Sequence, residues 1–300
     1  MKMTSLDLVE NLLGEFATSL EPSLLEVLPD SQGMEEQVID AMRYALFAGG
    51  KRLRPFLVVM TSRLFSVEEE NAIRVAAAIE CLHTYSLIHD DLPAMDNDDV
   101  RRGKPSVHKK FDEATAVLAG DALLTLCFEI LSDVKTHSDP EIRCELIATL
   151  SRAVGALGMV GGQMIDLKSE NQSLIENEIN RMQQMKTGAL IVFSCEAGAI
   201  LAQVKGKRRD ALKHYGRDIG LAFQIVDDLL DIERSSLDIG KTAGKDIRAG
   251  KATIVSLIGA GNAKIKADKL INQAIKGLEI FDDKANILRS LAAFVVGRNY

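Results

Sequence analysis

The chain has 300 residues, 47% of them hydrophobic but only 5% aromatic and none of them Trp, so a core must be filled with Leu, Ile, Val and Ala. A net charge of −7 speaks against a nucleic-acid-binding surface. The four cysteines, Cys81, Cys127, Cys144 and Cys195, form no CxxC pair and lie in apolar stretches, which reads as buried reduced thiols in a cytoplasmic setting. The first residues, MKMTSLDLVENLL, carry acids early and lack an uninterrupted apolar stretch, so no signal peptide is expected. No apolar run reaches the roughly 18 residues a membrane span needs.

A 3.6-residue period runs through nearly the whole chain and strand alternation is absent. The expected fold class is therefore all-α, as a single domain over residues 1–300. The period predicts helices over 5–19, 34–47, 54–65, 69–92, 112–133, 140–159, 174–203, 209–233, 252–260, 264–276 and 283–297. No heptad pattern is sustained, which excludes a coiled coil. Between the second and third helices lies Gly49-Gly50-Lys51-Arg52-Leu53-Arg54-Pro55. Glycine permits close backbone approach to an anion, and Lys51 and Arg54 can bind phosphate oxygens. The same turn also reads as a helix C-cap with bases that complement the dipole. Residues 97–110, NDDVRRGKPSVHKK, form a polar, basic loop. Ser138-Asp139-Pro140 is a helix start with Pro at the first helical position. Residues 234–251, RSSLDIGKTAGKDIRAGK, form a second loop rich in Gly and Lys.

Each basic loop directly follows a cluster of aspartates set in apolar sequence. The first is Asp90-Asp91-Leu-Pro-Ala-Met-Asp96 and the second is Asp227-Asp228-Leu-Leu-Asp231. Carboxylates among Ile, Leu and Val are costly to bury unless something binds them. Magnesium takes oxygen ligands and bridges one or two carboxylates to substrate phosphates, so a metal-diphosphate site between two helices is expected. In the second cluster Gln224, Asp227, Asp228 and Asp231 fall at about 0°, 300°, 40° and 340° on a helical wheel, one stripe roughly 100° wide. A solvated face near a helix end, with Arg234 as an ion-pair partner, is the bland alternative. In the first cluster Asp96 would stand about 120° from Asp90 on a continuous helix, and Pro93 disfavours helix at Leu92. The helix must end or distort there if the two are to share a metal; otherwise the cluster is an acidic capping turn. A calcium loop is excluded, since the run from Asp96 lacks Gly at the sixth position and a terminal Glu.

The motifs GGKRLRP, HTYSLIHDDLPAMDNDDVRRGKPSVHKKFDEATAVLAGDALL, GGQMIDL, KTGALI, FQIVDDLLDIE and GKTAGKDIRAGKAT resemble, in order, those of the trans-isoprenyl diphosphate synthases. The match runs from about residue 43 to residue 258. The resemblance implies a helical bundle around a central cavity, paired as a homodimer. It implies condensation of isopentenyl diphosphate onto an allylic diphosphate, with about three magnesium ions. Carried over, the metal ligands are Asp90, Asp96 and Asp227, supported by Asp91, Asp228 and Asp231. Lys51, Arg54, His83 and Arg102 match positions that hold isopentenyl diphosphate. Arg101, Lys186, Thr187, Gln224, Lys241 and Lys251 match positions around the allylic diphosphate. Thr187-Gly188 suggests a helix irregularity that aims carbonyl oxygens at an allyl cation, with Gln224 opposite. Gln163 and Asp166, three apart, read equally as cavity lining and as a buried polar pair.

In such synthases a bulky residue five before the first aspartate limits product length. Here that residue is Tyr85, with Ser86 beside it, and Ser86 stands closer to one helical turn below Asp90. Tyr85 favours a C15 product; a C20 product is the alternative within the family. Ile254 and Ile239 depart from the usual Tyr and Leu but stay apolar. An ionising terpene cyclase would lack GGKRLRP and alter the second cluster, and an inactive regulatory subunit would have lost a cluster; neither departure is present.

Overall fold

The computed structural model describes residues 5–30, 33–169, 174–237 and 253–297. The described residues are helical apart from loops, as the 3.6-residue period predicts, with one short hairpin inside the 97–110 stretch expected as loop. They form two compact units. The amino-terminal one spans Glu10–Ile147 with Ile200–Ala202, and the carboxy-terminal one spans Ala148–Ala199 and Gln203–Tyr300 with Met1–Val9.

Helix α1 covers Ser5–Val27 and continues through Pro22, beyond the expected end at 19. Its buried positions Leu13, Phe16, Leu20 and Leu24 keep the helical period past the proline. Two fully buried leucines, each worth about 1.5–3 kcal/mol, offset the backbone bond that Pro22 cannot donate. Helices α2 (Glu36–Leu46), α3 (Leu53–Arg63), α4 (Glu69–Asp90) and α6 (Glu113–Ser132) build the rest of the amino-terminal unit. A two-stranded hairpin, β1 (Val100–Arg101) and β2 (Lys104–Pro105), and the one-turn α5 (Val107–Lys110) lie between α4 and α6. Helix α4 buries Val75, Ala76, Ile79 and Leu82 completely.

Helix α7 (Pro140–Val154) opens as expected, with Asp139 Oδ1 accepting from the Glu141 N–H at 2.8 Å. The single helix expected over 140–159 breaks at a turn carrying Gly155 and Gly158, and α8 (Met159–Ser169) follows. The stretch expected as one helix over 174–203 is α9 (Glu176–Gln183), a five-residue π-turn (Gln184–Gly188) and α10 (Ala189–Leu201). Helix α11 (Lys207–Leu237) carries the second aspartate cluster. Its apolar face joins Ile225, Val226 and Leu229 to Ile179, to Ile254 and Val255 of α12 (Ile254–Ile258), and to Ala263 and Ala267 of α13 (Ala260–Gly277). A 3-10 turn (Glu279–Ala285) and α14 (Asn286–Gly297) follow, and the Tyr215 hydroxyl donates to the Leu288 carbonyl at 2.7 Å.

Contrary to the expectation of no such run, two stretches, Glu113–Ser132 and Pro140–Ser169, are long and apolar enough to cross a membrane by length and composition. In α6 the apolar Ala119, Leu123, Cys127 and Ile130 are buried in the protein, and the 155–158 turn interrupts the second stretch.

Three of the four thiols are buried and Cys144 is exposed. Burial pushes the Cys81 thiol up to about 12, with Glu80 adding to the shift; Cys127 and Cys195 are also raised by burial. Ellman's reagent is therefore expected to label one thiol in the native protein and four in denaturant. Rapid labelling of more than one under native conditions would contradict this packing.

Candidate active site

In the amino-terminal unit, α4 ends at Asp90, just before Pro93, as the proline requires. The chain then folds back. The Asp96 N–H donates to the Asp90 carbonyl at 2.9 Å and the Asp98 N–H to the Asp91 carbonyl at 3.1 Å, with Asn97 in the left-handed region (φ 50°). The angular gap between Asp90 and Asp96 is thus closed by ending the helix, and the two aspartates become neighbours through the backbone. Asp91 has another use. It is only 3% exposed, and the Arg101 guanidinium grips it, with Nε 3.0 and 3.2 Å from its two oxygens. This fork-like pairing commits Asp91 to positioning Arg101. Burial alone would depress the Arg101 guanidinium, but Asp91, Asp90 and Asp96 together raise it.

Arg101 and Arg102 are presented by the hairpin, whose turn has Arg102 (φ 54°) and Gly103 (φ 75°) both left-handed. A two-residue turn of that kind suits tightly paired strands. Arg102 Nη1 donates to the Gly49 carbonyl, and its guanidinium lies where a Cβ on Gly50 would fall. Arg54 Nη1 is 3.3 Å from His83 Nε2. Burial and the surrounding Arg54, Arg102, Arg52 and Arg101 hold His83 well below the ordinary histidine range. It is therefore neutral and accepts from Arg54 through Nε2. The structure brings Arg54, His83 and Arg102 together; Lys51 is exposed on the adjoining turn. Sequence reasoning missed Arg52 and Glu80, which form a buried ion pair beneath this cluster. The signal was a lone Glu inside the apolar run Ala76–Leu82.

Tyr85 and Ser86 are half-buried on α4. The Tyr85 ring meets the His89 ring edge-on, with centroids 5.0 Å apart. Burial raises the Tyr85 phenol, with Asp90 and Asp121 adding to the shift.

In the carboxy-terminal unit the π-turn carries Lys186 and Thr187, which realises the expected irregularity. The Lys186 ammonium pairs with Asp166 of α8 at 2.5 Å, and Asp166 is 5% exposed. The Thr187 hydroxyl donates to Gln224 Oε1 of α11 at 2.8 Å. Gln183 Nε2 donates to Asp228 Oδ2 at 3.3 Å. Gly162 allows this arrangement, since a Cβ there would collide with the Lys186 backbone. Gln163 Nε2 is buried without a hydrogen-bond partner among the described residues. On α11, Gln224, Asp227 and Asp228 are half-buried and Asp231 is exposed, while Ile225, Val226 and Leu229 pack inward. Lys241 and Lys251 lie outside the described residues. A separate cavity of about 360 Å³ in this unit is lined by Arg152, Leu157, Met185, Val192 and Phe193 among others, and none of the expected site residues borders it.

Among the described residues no three acidic or imidazole side chains converge as a ready-made metal cage. Magnesium does not need one, because it keeps waters and takes one or two carboxylates plus substrate phosphates. Within each unit, the oxygen-only donors, Asp90 with Asp96 and Asp227 with Asp228, are of the type that cation takes.

The polyprenyl synthetase family pattern matches residues 35–291. The chain is 44% identical over 270 residues to the farnesyl diphosphate synthase of Escherichia coli, covering 87% of this chain and 89% of that protein. It is 42% identical over 281 residues to the geranylgeranyl diphosphate synthase of Cyanophora paradoxa, covering 93% of each. Its fold matches the apo crystal structure of a FPP/GFPP synthase from Zymomonas mobilis with a TM-score of 0.87 and 50% identity, covering 96% of this chain and 99% of that one. By a pattern that spans most of its length and relatives this similar, the chain belongs to the polyprenyl synthetase family.

Proposed function

We propose that the protein condenses isopentenyl diphosphate with dimethylallyl or geranyl diphosphate to give farnesyl diphosphate and diphosphate. The observation that carries this reading is the cluster of Arg54 and Arg102 around a neutral His83. It is a cationic anion site additional to the aspartate sets. A condensing enzyme needs two diphosphate sites, whereas an ionising cyclase needs one. The similarity to a farnesyl diphosphate synthase over most of the chain supports the C15 product.

Lys51, Arg54, His83 and Arg102 hold isopentenyl diphosphate. Asp90, Asp96 and Asp227, with Asp228 and Asp231, would hold magnesium, which would neutralise diphosphate charge. Asp91 serves by fixing Arg101. Arg101 and Lys186 stabilise the charge that builds on the departing diphosphate. Thr187 and Gln224 offer oxygen dipoles to the allylic cation, and the π bond of isopentenyl diphosphate attacks it. The released diphosphate takes the final proton, so no His-Asp or Ser-His pair is required. The whole chain acts as one synthetase domain. Exposed Val117 and Leu118 on α6 support pairing with a second copy, and the free thiols suit a reducing, cytoplasmic setting.

The test supplies purified protein with isopentenyl diphosphate, dimethylallyl diphosphate and magnesium, and weighs the dephosphorylated alcohols. A dominant C15 alcohol is expected, and Tyr85→Ala should shift it towards C20. A C20 product from the native protein would support the geranylgeranyl alternative. No elongated product from folded protein would overturn the condensation.

A further inference from the structure

We propose that His89 and Gly120 set product length indirectly, by holding the Tyr85 ring in one orientation. This rests on the reading of Tyr85 as the floor that limits chain growth. Tyr85 and His89 are four residues apart on α4 and therefore share a face. Their rings meet at an interplanar angle of 78°, the edge-to-face geometry aromatic pairs prefer. Among the described residues the Tyr85 hydroxyl makes no hydrogen bond that would fix the ring. A half-buried ring without that anchor takes its orientation from packing, and His89 is the ring packed against it.

His89 is itself fastened from the opposite helix. Its Nε2 lies 3.1 Å from the Val117 carbonyl of α6. A carbonyl only accepts, so Nε2 carries the proton and donates. The imidazole sits against Gly120, one turn further along α6, and a Cβ built there would lie 2.1 Å from its Nε2 and 2.4 Å from its Cδ2. Gly120 lies in the interior of a regular helix, where glycine is otherwise unfavourable. The approach of His89 is what its missing side chain allows. Contacts therefore run in series from the α6 backbone to His89 and from His89 to Tyr85. Asp121 lies 3.9 Å from His89 Nε2, and it is too exposed to fix the ring by itself.

Without the imidazole, Tyr85 gains access to a second staggered rotamer, and the floor it makes opens for part of the time. In His89→Ala the ratio of C20 to C15 alcohol is expected to rise about two- to thirteenfold, the population change that losing one edge-to-face ring pair produces. Gly120→Ala should act in the same direction, because its methyl evicts the imidazole. KM for isopentenyl diphosphate should stay unchanged in both, since neither residue belongs to the Arg54–His83–Arg102 cluster.

The experiment measures product ratios for His89→Ala, Gly120→Ala, the double variant and Tyr85→Ala, with helical circular dichroism as the folding control. If Gly120 acts only through His89, the double variant matches His89→Ala alone, and its smaller side chain at 89 also removes the clash. Independent, additive shifts would overturn the series of contacts. Lengthening in Tyr85→Ala with unchanged C15 in His89→Ala would overturn the role of His89 and leave the floor standing. No lengthening in any variant would overturn the floor, and the proposal with it.

Discussion

Replacing Lys186 with Ala is expected to lower turnover by about 10²–10³-fold, the usual cost of removing one preorganised group that stabilises developing negative charge. Lys186 sits in the middle of the π-turn, and its ammonium is aimed by the buried Asp166 of α8. A cation held in that way pays no reorganisation when an allylic C–O bond ionises. Its effect should fall mainly on kcat, because the charge it answers is larger in the transition state than in bound substrate. Lys186→Arg should recover only part of the rate, since a planar fork does not reproduce a compact ammonium. Removing Lys186 also leaves the Asp166 carboxylate buried, so Lys186→Ala/Asp166→Asn separates lost catalysis from lost packing. Near-normal turnover in Lys186→Ala would sink the assignment.

The second large effect is on stability. Arg52 and Glu80 are 4% and 1% exposed and form an ion pair, while Arg52 also donates to the Leu46 carbonyl. Arg52 holds a left-handed backbone (φ 48°) at the start of α3. Glu80→Ala would leave a guanidinium buried beside other arginines, at a cost of about 3–5 kcal/mol. That is a large share of the roughly 5–15 kcal/mol typical of a folded protein. Glu80→Gln keeps the shape and one acceptor and should cost less. Urea midpoints at constant slope would report the change. Because Lys51 and Arg54 flank Arg52, surviving protein should show a raised KM for isopentenyl diphosphate more than for the allylic substrate. A loss below about 1 kcal/mol in Glu80→Ala would show that the pair does not hold this turn.

Much of this site can be read from periodicity alone. The stripe of Gln224, Asp227, Asp228 and Asp231 needs only the helical angle, and the end of α4 needs only Pro93. The irregularity at Thr187-Gly188 announces itself through the glycine. What the period cannot give is the partner of a side chain. Asp91 looks like Asp90 in sequence, yet a hairpin ten residues on delivers Arg101 to it. Arg52 looks like one more base in a phosphate-binding turn, and only packing against Glu80, 28 residues away, makes it structural. The break at Gly155 and Gly158 and the passage of α1 through Pro22 depart from the expected helix bounds for a related reason. Local propensity proposes where helices stop, and burial of the flanking apolar residues decides.

The π-turn has a consequence for how this stretch of chain can change. A π-turn holds one residue more than the ordinary helix needs, so the helices on either side are offset in phase by about 100°. A substitution within Gln184–Gly188 leaves that offset in place, whatever it does to the chemistry. Deleting any one residue does not, because the segment would relax into continuous α-helix and one flank would rotate by the same angle. Either Lys186 and Thr187 would leave Asp166 and Gln224, or the buried face of α9 or α10 would turn outward. The number of residues here, independent of their identity, is therefore part of what the site requires.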